Sequence, residues 1–463
     1  MSPRPRIASA SMASAAVLGL TFAMVVAPTA IAEPCTGAAA AAQPPAAPNA
    51  EATPPLPGGP PVGHRPRGTD ESAASPRLGR LEQQAQVRPT PPAPAAEQSA
   101  AQQVPAAAPP QPPPPPAPPG TSIVGWVTGP ESPNNTIGRF AITGTDLGIM
   151  WDNGDPANRQ VLMAFGDTYG YCGVRGQQWR YNTLFRSQDG ALSKTVAVPD
   201  GMPANRHSGS PLWAPGLSKQ IINSTKWAPN EKGIIPTAGI AVGTTQYINF
   251  MSIKSWDSDG RWTTNFSAIA VSPDNGENWG IYPGSVRSTA GGDVAGAPFV
   301  PGNQNFQQGA FLRPGPGDPH LYSFGTPAGR GGAAYIARVA PSAVPDLRKY
   351  EYWNTDQNAW VPGDPGAATP VIPGPVGEMS AQFNTYLGRY LVMYCNGAND
   401  VVARTASAPQ GPWGPEQLIA RSMEIPGGIY APFLHPWSTG KELYFNLSQW
   451  STYNVMLMRT VLP

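Results

Sequence analysis

The sequence predicts an all-β chain: a five-bladed β-propeller over residues 121–463, preceded by a signal peptide at residues 1–32 and a disordered Pro/Ala-rich linker at residues 33–120. Three observations predict it. Composition changes abruptly near Gly120, a triplet of short strands recurs five times beyond that point, and no amphipathic helical pattern interrupts the triplets.

Arg4 and Arg6, an apolar run from Ala13 to Ala27 and the small residues Ala30-Ile31-Ala32 form the charged, apolar and cleavage regions of a secretory leader, with cleavage expected after Ala32. The run is shorter than the roughly 20 apolar residues a spanning helix needs, so stable membrane insertion is not expected. The expected destination is secretion or association with the cell wall. Cys35 sits where a lipoprotein carries its acylated cysteine, but Glu33-Pro34 lacks the small residues of a lipidation signal.

The linker follows from composition. Of 59 prolines, 28 precede residue 121, whereas 40 of 41 aromatic residues follow it. A segment with no aromatic residue and a run at Pro112–Pro116 cannot bury enough apolar surface to offset chain entropy, and is expected to act as an extended spacer. The formal net charge of +1 excludes the electrostatic footprint of a nucleic-acid binder. A monomer is expected. Whether Cys172 and Cys395 pair or stay as buried thiols is left open by their spacing.

Five third strands share one pattern: Leu184–Ser187, Ile269–Ser272, Ile336–Val339, Val402–Thr405 and Leu457–Thr460, with Arg at the third position in four of them. Each follows a more apolar strand, at Val161–Phe165, Tyr247–Ile253, Leu321–Phe324, Tyr390–Tyr394 and Leu443–Leu447. Before those come inner strands at Asp146–Trp151, Gly239–Thr244, Gly309–Leu312, Ser380–Tyr386 and Tyr430–Leu434. Such regular meanders predict blades rather than a two-sheet sandwich. Ser272–Trp279 matches the S-x-D-x-G-x-x-W hairpin turn of sialidase-like propellers, a structural feature. Ser122–Val127 is expected to close the ring against the last blade, removing an exposed edge.

The entrances of the inner strands converge on one funnel and present Asp146, Thr237, Gln307, Glu378 and Tyr430. His64, His207, His320 and His435 are scattered, and no H-E-x-x-H, C-x-x-C or G-x-S-x-G occurs, so neither metal nor cofactor is expected. In the first blade, the turn at Asp152–Pro156 brings Asp146 beside residue 166 or 167. Asp146 and Asp167 then present two carboxyl groups at the open end of one hairpin, as glycoside hydrolysis requires. A diagonal placement leaves room for a water and implies inversion at the anomeric carbon. Around them, Asn182, Gln307, Arg330 and Tyr430 are candidates to bind sugar hydroxyls. Glu378 is either a third carboxylate of the site or half of a structural ion pair. Trp179, Trp353 and Trp437 are candidates to stack on sugar rings.

Thr145-Asp146-Leu147-Gly148, Phe165-Gly166-Asp167-Thr168, Gly377-Glu378-Met379-Ser380 and Tyr430-Ala431-Pro432 resemble, in that order, exported propeller domains long filed as a domain of unknown function and now grouped as endo-D-arabinanases. The resemblance implies hydrolysis of internal D-arabinofuranosyl bonds in cell-wall arabinogalactan or lipoarabinomannan, with Asp146 and Asp167 as catalytic carboxylates. That family includes members with no demonstrated activity, so a catalytically silent glycan-binding propeller is the alternative. A sialidase-like exo-enzyme is disfavoured, since no triad of funnel-facing arginines is evident.

Overall fold

The computed structural model describes Cys35, residues 120–257 and residues 261–463. The expected signal peptide lies outside the described residues, as does the expected linker apart from Cys35 and Gly120.

The described chain opens with β1 (Ser122–Trp126) and a short helix, α1 (Thr136–Phe140). Blade one is β2 (Gly144–Asp152), β3 (Val161–Tyr169) and β4 (Thr183–Ser187), followed by a small ribbon, β5 (Leu212–Ala214) and β6 (Leu217–Ser218). Blade two is β7 (Gly233–Val242), β8 (Thr245–Trp256), β9 (Trp262–Ser272) and β10 (Gly280–Ser288). Blade three is β11 (Gln308–Leu312), β12 (Leu321–Thr326), β13 (Tyr335–Val339), β14 (Glu351–Asn354) and β15 (Ala359–Pro362). Blade four is β16 (Met379–Asn384), β17 (Arg389–Cys395), β18 (Val401–Ala406) and β19 (Gln417–Ala420). Blade five is β20 (Ile429–Leu434), β21 (Glu442–Gln449) and β22 (Asn454–Val461), and β1 completes it as the outermost strand beside β22.

The five triplets read from the sequence are the first three strands of the five blades, and the ring closes as expected. The inner strands β2, β7, β11, β16 and β20 touch in that order, and β20 returns to β2. Three blades have four strands, whereas blade one has three and blade three has five. In blade one, buried Leu192, Val196 and Val198 pack in one apolar cluster with Phe185 of β4 instead of a fourth strand.

The recurrent arginines on the third strands have a common physical use. Arg186, Arg338, Arg404 and Arg459 pair with Glu277, Glu351, Glu416 and Glu442. The Arg186 side chain is fully buried, and its acid comes from the S-x-D-x-G-x-x-W turn of the next blade. In that turn Ser272 Oγ donates to Asp274, Asp274 accepts from the Asn278 amide, and Trp279 packs in the large core that joins blades one and two. The turn therefore locks one blade to its neighbour.

A Cys172–Cys395 pair does not form. Cys172 is bonded to Cys35, and Cys395 is a buried free thiol on β17. Cys172 lies in the β3–β4 connection, so the chain from residue 35 to residue 172 forms one covalent loop.

Candidate active site

Asp146 is displayed by a doubly irregular hairpin. Thr145 faces Thr168 and Leu147 faces Phe165, so Asp146 alone opposes both Gly166 and Asp167; Gly148 is then the extra residue on β2 before Ile149 faces Ala164. The second irregularity holds Leu147 at φ 71° and Gly148 at φ 69°. Leu147 is strained in that region, and strain of this kind persists only where surroundings enforce it. Blade five enforces it: the Leu147 amide donates to Ser448 Oγ at 2.8 Å and Asn446 Nδ2 donates to the Gly148 carbonyl at 2.9 Å. Gly166 is required on the facing strand, because a Cβ there would lie 2.4 Å from Asp146 Oδ1.

Both acids are half-buried at the mouth. Asp146 Oδ2 accepts from the Tyr430 hydroxyl at 3.0 Å, whereas Oδ1 is shut off from solvent with no hydrogen-bond partner. Asp167 Oδ1 accepts from Trp179 Nε1 at 2.8 Å. Burial pushes the Asp146 carboxyl up to about 7; the Tyr430 hydrogen bond opposes the rise, Glu378 adds to it and Arg330 opposes it. Burial, then the neighbouring Asp146 charge, pushes Asp167 up to about 8, against the Trp179 hydrogen bond. Tyr430 and Tyr453, both buried, have hydroxyls held far above their ordinary range, by burial first and then by the acids, so both stay protonated.

Glu378 and Arg330 form the ion-pair alternative of the sequence reading. Arg330 Nε donates to Glu378 Oε2 at 2.9 Å and Nη2 to Oε1, a two-point clamp. The guanidinium lies 4.9 Å from the Trp262 ring, 5.0 Å from Trp450 and 5.2 Å from Tyr430. Tyr430 and Trp450 stack with centroids 3.9 Å apart. Arg330 is therefore boxed by aromatic faces.

Three expectations need correction. Asn182 is fully buried, with Oδ1 accepting from the Ile221 and Ile222 amides and Nδ2 donating to the Ile222 and Ile234 carbonyls. Gln307 is fully buried and equally saturated by Thr264, Thr289 and the carbonyls of Arg287 and Asn303. Neither has capacity left for a sugar hydroxyl. Tyr430, 1 % exposed, spends its hydroxyl on Asp146 and positions that acid. Among the tryptophans, Trp179 reaches the site, Trp353 is buried against Trp360 on the outer part of blade three, and Trp437 lies at the other end of β2, donating to Asp152.

Missed by the sequence reading were Trp262, Trp450, Tyr453 and Glu231. Burial pushes the Glu231 carboxyl up, and its Oε1 has no partner. Its field and that of Asp167 both reach Tyr181. A usable signal existed: the connection between second and third strands opens at the mouth in every blade, and those connections carry Trp179, Arg330, Trp450 and Tyr453. Among the described residues no group of three metal-ligating side chains occurs, and no helix is long and apolar enough to cross a membrane.

The chain is 24% identical over 333 residues to notoamide biosynthesis cluster protein J' of Aspergillus versicolor, covering 68% of this chain and 83% of that protein. Among solved structures it is similar to a putative hydrolase from Bacteroides ovatus, with TM-score 0.46, 13% identity and coverage of 70% and 88%. It is also similar to an α-L-arabinofuranosidase from Podospora anserina, with TM-score 0.40, 12% identity and coverage of 74% and 97%. The family DUF4185, a domain of unknown function, matches residues 131–459, and the chain belongs to that family.

Proposed function

We propose that this propeller is an endo-acting glycoside hydrolase that cleaves internal D-arabinofuranosyl linkages of cell-wall arabinan with inversion. The observation that carries the reading is the pair of mouth carboxyls, Asp146 and Asp167, both raised into the neutral range on one strained hairpin. Two titrating acids held apart by environment supply the acid and base that glycosidic cleavage needs. The four motifs shared with endo-D-arabinanases support the substrate class, and the leader-like residues 1–32 support export to the wall.

Asp167, with the higher pKa, keeps its proton and delivers it to the glycosidic oxygen as the bond to the anomeric carbon breaks. Asp146, whose ionised form is favoured by the Tyr430 hydroxyl, takes a proton from water as the water oxygen bonds to that carbon from the opposite side. The products are a hemiacetal of inverted configuration and a free alcohol, and solvent returns the proton from Asp146 to Asp167. Incubation with arabinogalactan, followed by proton NMR of the first-formed anomer, tests the reaction. Release of no oligosaccharide would leave a binding propeller, and a first product of retained configuration would exclude the inverting route.

The active form carries one proton, on Asp167. Turnover is therefore expected to be bell-shaped, rising as Asp146 ionises near 7 and falling as Asp167 ionises near 8. Tyr430→Phe removes the hydrogen bond that favours ionised Asp146, so its acid limb should move to higher pH while the alkaline limb stays. An unmoved acid limb would show that Tyr430 does not act through Asp146.

A further inference from the structure

Trp437 was singled out as a sugar-stacking residue, yet it does not belong to the mouth. It follows β20, which starts at the mouth with Tyr430 and ends at Leu434 on the far face. Its indole Nε1 donates to Asp152, six residues along β2 from Asp146. At about 3.3 Å per residue, that places it about 20 Å from the acids. Beside it is a cavity of about 340 Å³, lined by Trp437, His435, Tyr444, Thr439, Lys441 and Gly190 among others. That volume lies at the lower end of the range of about 300–1,000 Å³ for small-molecule sites.

Two features of this cavity are built rather than incidental. The half-buried Trp437 ring is fixed, held by its Asp152 hydrogen bond and by the Arg159 guanidinium 4.3 Å from its centroid. His435 is fully buried, and its Nδ1 accepts from the Trp437 amide, which leaves the proton on Nε2. Burial pushes this imidazole down to about 4, so it is neutral. The Nε2–H has no protein acceptor. The lining charges are one cation, Lys441, and one anion, Glu442, the latter already paired with Arg459. A rigid aromatic face on the wall of a cavity of this size suits a neutral polyhydroxylated ring.

We propose that the face opposite the acids carries a second glycan-binding site, built on Trp437, whose backbone His435 anchors, that holds a neutral sugar segment outside the cleavage site. This deepens the reading of the protein as a glycan hydrolase and rests on it for the choice of polymer. A segment held about 20 Å from the mouth cannot be the one being cut. The site therefore retains a distal stretch of the same polymer, or a neighbouring chain, and raises local substrate concentration.

The test is calorimetric titration of D-arabino-oligosaccharides into the Asp167→Asn protein, in which cleavage is disabled. Two binding events are expected. Adding Trp437→Ala should weaken one of them at least about tenfold, equivalent to about 1.4 kcal/mol, and leave the other. Gly190→Leu controls for misfolding: it removes no buried group, and its Cβ would lie 3.8 Å from Trp437 Cε3, so it covers the ring and should abolish the same event. A single event that neither substitution changes would overturn the site. An event lost in Gly190→Leu with no second event at the mouth would uphold this site while removing the arabinan-hydrolase reading. Absence of any binding would overturn both.

Discussion

Asp167→Asn is expected to fold, to bind arabinan and to turn it over at least about a hundredfold more slowly, because proton transfer by a positioned acid contributes about 10²–10⁴-fold. Asp146→Asn should lose a similar factor, since an amide cannot take the proton of the attacking water. Near wild-type turnover in both variants would reduce the pair to a turn feature and leave a binding propeller. Stability moves the other way. Both folded-state values lie above the unfolded carboxylate value, so between pH 4 and 7–8 the folded protein keeps protons that the unfolded chain releases. Stability from this pair is fully present below pH 4 and falls with rising pH, by about 1.4 kcal/mol per unit for each group until its folded value is passed. Each amide variant should therefore unfold at a higher temperature than wild type at pH 8, with the gap closing near pH 4. Thermal scans across that range check the sign.

Arg330→Met is expected to destabilise the fold by about 3–5 kcal/mol, the cost of leaving a buried carboxylate without its partner. The Glu378 side chain is only 10% exposed, and two of its hydrogen bonds come from Arg330. The guanidinium also spans the Trp262, Trp450 and Tyr430 rings, so the substitution loosens the wall that positions Tyr430 against Asp146. Removing this cation takes away a charge that favours ionised Asp146, and the acid limb of turnover should shift upward. The double variant Arg330→Met/Glu378→Leu should recover much of the stability, since neither charge is then stranded. Denaturant unfolding of both variants tests this; a loss below about 1 kcal/mol for Arg330→Met would mark the pair as an ordinary surface contact.

The blades and the acid pair were legible because both are local. Strand alternation, turn residues and the spacing of Asp146 and Asp167 around one hairpin are properties of about twenty consecutive residues, and the structure keeps them as read. The S-x-D-x-G-x-x-W turn was legible for the same reason. What the tertiary structure decided is which side chains remain free once five blades are pressed together. Asn182 and Gln307 sit near the right strands but are consumed by carbonyls and amides of loops distant in sequence, because a buried amide must satisfy all its groups. Arg330 was drawn out of solvent by Glu378, 48 residues away, and by rings of two other blades. Cys172 found Cys35 across 137 residues rather than Cys395. Strand period assigns a residue to one face of its own blade, and it carries no information on which neighbour meets that face or whether a following loop emerges at the mouth or, like Trp437, on the far side.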